Sequence, residues 1–198
     1  MSNVLYLIGS LRNERIPKLA ARLREEHPDL EVFDDWYAAG PEADDYWKEY
    51  EQAKGSSYQE ALRGYSARNV FEYDRRHLDR CTHAILVLPA GKSGHMEIMY
   101  ATYAVKAKTA ILLDPTDVRW DVMYQFVPTI LNNDEEISPW LTTPSSQAEK
   151  TTVINPEWTY SPGPLSKDCL VFSDSERRSM PHITGGVVSN IRDSSEQP

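Results

Sequence analysis

The sequence predicts an α/β domain built on a parallel sheet. Three observations carry that expectation. Short apolar, β-prone runs recur along the first 140 or so residues, amphipathic helical stretches separate most of them, and the run HAILVL at His83 to Leu88 is almost wholly apolar. A strand buried on both faces of a parallel sheet has that last character, and parallel neighbours need the crossover connections that the helical stretches provide.

The elements follow in order. Asn3 to Ile8 (NVLYLI) is apolar and breaks at Gly9-Ser10. From Leu11 to Glu26, Ile16, Leu19, Ala20 and Leu23 recur at three- and four-residue spacing, one face of a helix. Leu30 to Phe33 is a short second strand, after which the pattern dissolves into DDWYAAGPEADD. Two amphipathic stretches come next, about Asp45 to Ala53 and about Tyr58 to Asp79, the second broken near Gly64. His83 to Leu88 is the third strand, Gly94 to Val105 a helix, Thr109 to Leu113 the fourth strand, Val118 to Gln125 a short helix, and Val127 to Leu131 a weak fifth strand interrupted by Pro128. Five strands in about 130 residues suit a flavodoxin-like or related doubly wound sheet. Residues 1–142 form this domain, and residues 143–198 are a Ser/Thr/Pro-rich C-terminal extension, either an ordered strap packed on the domain or partly disordered.

Composition narrows the function classes. Acidic residues outnumber basic ones by 30 to 21, a formal net charge of -9, which argues against a nucleic-acid polymer as partner because that grip needs Lys and Arg to displace counterions. A small anion needs only a few local donors and stays compatible. The two cysteines, Cys81 and Cys169, are too few for a disulfide framework and belong to no zinc-spaced pattern, so a reduced, cytoplasmic setting is the simpler expectation. With only a short apolar run and no basic leader among the first residues, no secretory signal is expected, and no run approaches the roughly 20 apolar residues of a membrane span. His27, His77, His83, His95 and His182 show no ligand spacing, and neither a metal nor a cofactor is expected.

Two strand-to-helix loops carry unusual chemistry. In Gly9-Ser10-Leu11-Arg12-Asn13, glycine permits close approach to the backbone, Ser10 offers a hydroxyl and Arg12 a guanidinium, the parts of a phosphate or carboxylate site. The plainer reading is that Gly9 turns the chain, Ser10 caps the helix and Arg12 lies in water. In Ala90-Gly91-Lys92-Ser93-Gly94-His95-Met96-Glu97, Ser93 as N-cap would put Glu97 near the positive end of the helix dipole, which favours a charged carboxylate and a nucleophile. The plainer reading there is that Glu97 only complements the dipole. Gly-Lys-Ser lacks the full glycine spacing of a P-loop, so an ATPase is poorly supported.

YLIGSLR near the start, Asp74 within FEYDRRHLDR, and GHMEIMYA after the third strand together resemble the nucleoside 2-deoxyribosyltransferase family, which includes the related 2'-deoxynucleoside 5'-phosphate N-hydrolases. The resemblance covers about Val4 to Leu141. It implies a flavodoxin-like sheet in the order 2-1-3-4-5, with the two loops on opposite sides of one crevice between strands one and three. By the same resemblance Glu97 matches the nucleophile that attacks the anomeric carbon, Asp74 the active-site aspartate, and Tyr6 the tyrosine that orients the nucleophile. Ser10 and Arg12 match the residues that hold the 5'-phosphate in the phosphohydrolase branch, with Gly9, Gly91 and Gly94 in the same loops. Asp121, followed by Val122 and Met123, falls where transferases place an asparagine supplied to a neighbouring subunit, so a homo-oligomer is expected.

The chain departs from the family pattern in the loop before Glu97, where Lys92 and Ser93 stand in place of acidic residues and fit a more anionic substrate. Asp35 and Trp36 occupy a variable loop and either shape the base pocket or form a solvated loop with one packed tryptophan. The resemblance thus implies cleavage of the N-glycosidic bond of a (deoxy)nucleoside or its 5'-phosphate, passing the sugar to water or a second base. Rival readings are a hydrolase of NAD or a related signalling nucleotide, a nucleotide-binding module without catalysis, and, by fold analogy alone, a flavin-binding protein.

Overall fold

The computed structural model describes residues 3–116 and 121–144. Its strands β1 (Asn3–Ile8), β2 (Leu30–Phe33), β3 (His83–Val87), β4 (Lys108–Leu112) and β5 (Thr129–Leu131) form one parallel sheet in the order 2-1-3-4-5. This is the flavodoxin-like order, and it puts the switch point between β1 and β3, where Tyr6 pairs with Ala84 and Ile8 with Leu86. The expected extension from residue 145 onward lies outside the described residues, as do residues 117–120.

Alternation along the strands divides the core into two layers. Leu5, Leu7, Val32, Ile85, Val87 and Leu112 pack on α1 (Arg15–Glu26) through Ile16, Leu19 and Leu23, and on Ile137 and Trp140 of the helix that follows β5. Val4, Tyr6, Ile8, Phe33, Leu86 and Ile111 face the other way, toward Leu78 and Ile98. Between β2 and β3 lie α2 (Ala43–Ala53), α3 (Tyr58–Arg63) and α4 (Tyr65–Arg80), with the chain extended at Gly64 where the sequence predicts a break. After β3 comes α5 (Lys92–Tyr100), continued by a π-helical turn, Ala101–Val105, that ends at Lys106 in the left-handed region. The short helix after β5 is α6 (Ile137–Thr142). None of the described helices is long and apolar enough to cross a membrane.

Several boundaries move. The first helix starts at Arg15 rather than Leu11, because Asn13 is drawn into the sheet end. Its buried Nδ2 donates to the carbonyls of Val87 and Pro89, both at 3.2 Å, while its Oδ1 accepts the Arg15 N–H at 3.1 Å. Pro17 then falls in the first turn, where a missing N–H costs nothing. The helix expected from Gly94 starts two residues earlier at Lys92, with extended Gly91 as its N-cap. Of the helix expected at Val118 to Gln125, residues 118–120 lie outside the described residues and the later part is a 3-10 turn, Val122–Phe126, while β5 is trimmed to the residues beyond Pro128.

Asn13 therefore joins the loops after β1 and β3. Asn13→Ala removes both donated bonds and leaves two carbonyls short of a partner, so we expect a loss of about 1–3 kcal/mol in urea unfolding.

Candidate active site

Tyr6, Asp74 and Glu97 come from β1, α4 and α5 and meet over one face of the sheet, close enough that each carboxyl acts on the phenol and Asp74 acts on Glu97. A small residue makes this possible. Gly94 is buried against β1 and β3, where an added Cβ would lie 3.0 Å from Leu86 Cδ1 and 3.2 Å from Ile8 Cγ2. With no side chain there, the start of α5 settles on the sheet, and Glu97, one turn on, is carried over it. Beneath the cluster Tyr6 packs on Phe33 with ring centroids 4.8 Å apart, and Phe33 stacks on His77 at 3.8 Å.

Electrostatics in this cluster run against the expectation from the helix dipole. Gly91, not Ser93, is the N-cap, and no side chain caps the helix. Glu97 is consequently the sixth helical residue, beyond the turn in which the dipole acts. Burial, reinforced by the charge of Asp74, pushes its carboxyl from the ordinary 4.5 up to about 7. Burial likewise pushes Asp74 from 3.8 up to about 6. Tyr6 remains a phenol, because burial first and then the charges of Glu97 and Asp74 push its pKa far above the usual range. Both carboxyls thus resist ionisation, and the charge of Asp74 adds to the resistance of Glu97.

A cleft of about 270 Å³ is lined by Ser10, Arg12, Asn13, Pro89, Ala90 and Gly91; Tyr6, Asp74 and Glu97 are not among its lining residues. It opens between the loops after β1 and β3, at the switch point. Ser10 does not cap α1. Its Oγ accepts the Arg12 N–H at 3.2 Å and its carbonyl accepts the Asn13 N–H at 2.9 Å, so it shapes the turn. Nor does the Arg12 guanidinium simply lie in water, since it pairs with Asp45 of α2 at 3.0 Å. Lys92 and Ser93 are exposed in the first turn of α5 and stand outside the cleft lining.

Other candidates are placed more peripherally. Trp36 donates its indole N–H to the Leu7 carbonyl at 2.8 Å and packs between the two core layers, while Asp35 is exposed and acts by charge on His77 and Arg80. Asp121 accepts the Met123 N–H at 3.0 Å, capping the 3-10 turn on which Met123 is exposed. His95 links α5 to that turn by stacking on Tyr124, and its Nδ1 lies 2.8 Å from the Gly91 carbonyl. No group of three His, Cys, Asp or Glu side chains among the described residues is arranged to hold a metal ion.

Sequence reasoning missed Asn13, Arg15 and Asp45. Arg15 donates to the carbonyls of Leu88 and Leu113 at 3.0 and 3.2 Å and pairs with Asp134 at 2.7 Å. Asn13 carried a readable signal, as a residue type that caps helices just ahead of one. Arg15 and Asp45 carried none, because their partners are distant in sequence.

A carboxyl with a raised folded pKa destabilises the folded state as pH rises, since the unfolded chain ionises first. For Glu97 the cost is absent below the ordinary 4.5, grows through the interval up to about 7, and is constant above it. Glu97→Gln should therefore be more stable than the wild type above neutral pH, by on the order of 1–3 kcal/mol, and close to it under acid conditions. Urea unfolding at the two extremes checks this.

No protein-family model matches the chain, and no curated protein matches it. Among solved structures the chain is similar to a 2-deoxyribosyltransferase from the psychrotolerant bacterium Bacillus psychrosaccharolyticus, with 14% identity and a TM-score of 0.44 over 73% of this chain and 95% of that one.

Proposed function

We propose that this protein cleaves the N-glycosidic bond of a (deoxy)nucleoside or its 5'-phosphate, with Glu97 as nucleophile. The observation that carries the reading is the meeting of two carboxyls with raised pKa, Glu97 and Asp74, with the buried phenol of Tyr6; the switch-point cleft that holds Ser10 and Arg12 supports it. The motif resemblance of YLIGSLR, Asp74 and GHMEIMYA supports the same chemistry.

In this scheme the pair works in its singly protonated state. The reactive form is the minor one of that state, with the proton on Asp74 although Glu97 has the higher pKa: the ionised carboxylate of Glu97 attacks the anomeric carbon, the C–N bond breaks with its electrons going to the base, and Asp74, directly or through a water, gives the base its proton. The resulting glycosyl ester passes its sugar to water or to a second base, and the proton returns to the pair. Tyr6, held neutral, donates a hydrogen bond that orients Glu97. Ser10 and Arg12 receive the 5'-phosphate, with Asn13 and the Gly91 backbone completing the cleft. Asp35 and Trp36 border the base, and Lys92 and Ser93 add polar character at its mouth.

A second copy of the chain is the partner we propose. Phe71 on α4, Met96 on α5, Tyr103 on the π turn and Val122, Met123 and Phe126 on the 3-10 turn are all exposed large apolar side chains. Light scattering on the full chain should give at least a dimer, and a monomer at all concentrations would overturn this part.

The decisive experiment incubates the protein with 2'-deoxynucleosides, their 5'-monophosphates, ribonucleotides and NAD, followed by chromatography for free base. We expect base release from the deoxynucleoside or its monophosphate and none with Glu97→Ala. Release of nicotinamide alone would transfer the reading to NAD, and tight binding without turnover would make the protein a binding module. Arg12→Ala should weaken 5'-phosphorylated substrates selectively; an equal loss for the nucleoside removes the phosphate role. Because one proton on the pair is required, kcat/KM should pass through a maximum between about 6 and about 7 in pH and fall on both sides.

A further inference from the structure

The Arg12 guanidinium is already occupied by a carboxylate of the same chain. Asp45 Oδ2 lies 3.0 Å from Arg12, and both side chains are more than half exposed, at 60% and 54%. That pair connects the loop after β1 to a helix that, among the described residues, has few other side-chain contacts to the rest of the domain. α2 supplies no side chain to either core layer, and its one buried residue, Glu51, is satisfied by Lys54 and Ser56 from the end of the same segment, at 2.9 and 3.1 Å. Trp47 packs edge-on against Tyr58 of α3, outside the sheet core. The chain enters and leaves α2 through Gly40 and Gly55, both at positive φ (89° and 80°) with open space around them. These are positions where backbone rotation is least restricted.

We propose that Asp45 is an internal competitor for the anion site of the cleft. In the ligand-free protein its carboxylate holds Arg12; a phosphate monoester entering beside Ser10 takes the guanidinium instead, and α2 is freed to move about Gly40 and Gly55. The inference rests on the reading that the cleft receives a phosphate. It adds a selectivity that Ser10 and Arg12 alone do not supply. A doubly charged phosphate with three acceptor oxygens outcompetes one carboxylate, whereas a weakly hydrogen-bonding monoanion does not. An exposed pair of this kind contributes little, so the competition lowers phosphate affinity by only about two- to fivefold. Linkage requires the reciprocal effect: phosphate loosens α2 by the same factor.

The test titrates inorganic phosphate onto the full chain at low ionic strength, following the backbone amides of Ser10, Asn13 and Gly91 by NMR, for wild type, Asp45→Asn, Arg12→Ala and the double variant. Hydrogen exchange over Ala43–Ala53 is read with and without phosphate. We expect Asp45→Asn to tighten phosphate about two- to fivefold, Arg12→Ala to weaken it, and the Asn substitution to have no effect once Arg12 is gone. Phosphate should speed exchange in α2 of the wild type and leave it unchanged in Asp45→Asn, where it is already fast. If Arg12→Ala weakens phosphate but Asp45→Asn changes neither its affinity nor α2 exchange, the competitor role is overturned while the cleft reading stands. If Asp45→Asn tightens phosphate equally without Arg12, Asp45 acts only through the general field and the inference again fails. If phosphate does not shift the three amides, or binds independently of Arg12, the cleft reading fails and takes the inference with it.

Discussion

The junction of β1 with β3 is the constraint on which the rest of this structure depends. Parallel pairing brings two loops side by side at the carboxyl end of the sheet, and those loops would otherwise present a row of unpaired carbonyls. Asn13 and Arg15, from the loop and first turn that follow β1, satisfy those of Val87, Leu88 and Pro89, and Arg15 also reaches Leu113 after β4. The same bonds set the start of α1, define one wall of the cleft and leave Ser10 and Arg12 projecting beside it. Fold and candidate site thus share one set of hydrogen bonds.

The carboxyl cluster shows which of two electrostatic effects wins. A helix dipole stabilises a charge in the first turn by about 0.3–1 kcal/mol when exposed. Burial acts on Glu97 in the opposite direction, and a carboxyl raised from 4.5 to about 7 corresponds to roughly 3 kcal/mol against the charged form. Burial therefore sets the protonation of this site, and it does so because Gly94 allows α5 to lie so near the sheet. A destabilised pair of carboxyls over a buried phenol is the kind of arrangement that acid–base and nucleophilic chemistry requires and that folding alone would not favour.

Charge is organised locally at the cleft. A chain with net charge -9 still presents a guanidinium to its cleft, and it balances that cation with an acid from α2. The pairing is solvent-exposed and so contributes little to holding the fold together.

Sequence periodicity by itself determined the parallel α/β architecture and nearly every element. A strand buried on both faces, such as Ile85 to Val87, and a helix with one apolar face, such as Ile16 to Leu23, are local patterns that burial imposes directly. The motifs around Ser10, Arg12, Asp74 and Glu97 were visible in the same way, as short runs with unusual chemistry. Tertiary structure alone decided what those residues experience. The shift of Glu97 depends on Asp74 from another helix and on the depth to which α5 sinks; the partner of Arg12 is an aspartate 33 positions away; and the start of α1 depends on carbonyls of β3 and the residues after it. Local sequence encodes which face of an element is buried, whereas pKa, ion pairing and loop geometry are set by atoms that become neighbours only after the sheet has formed.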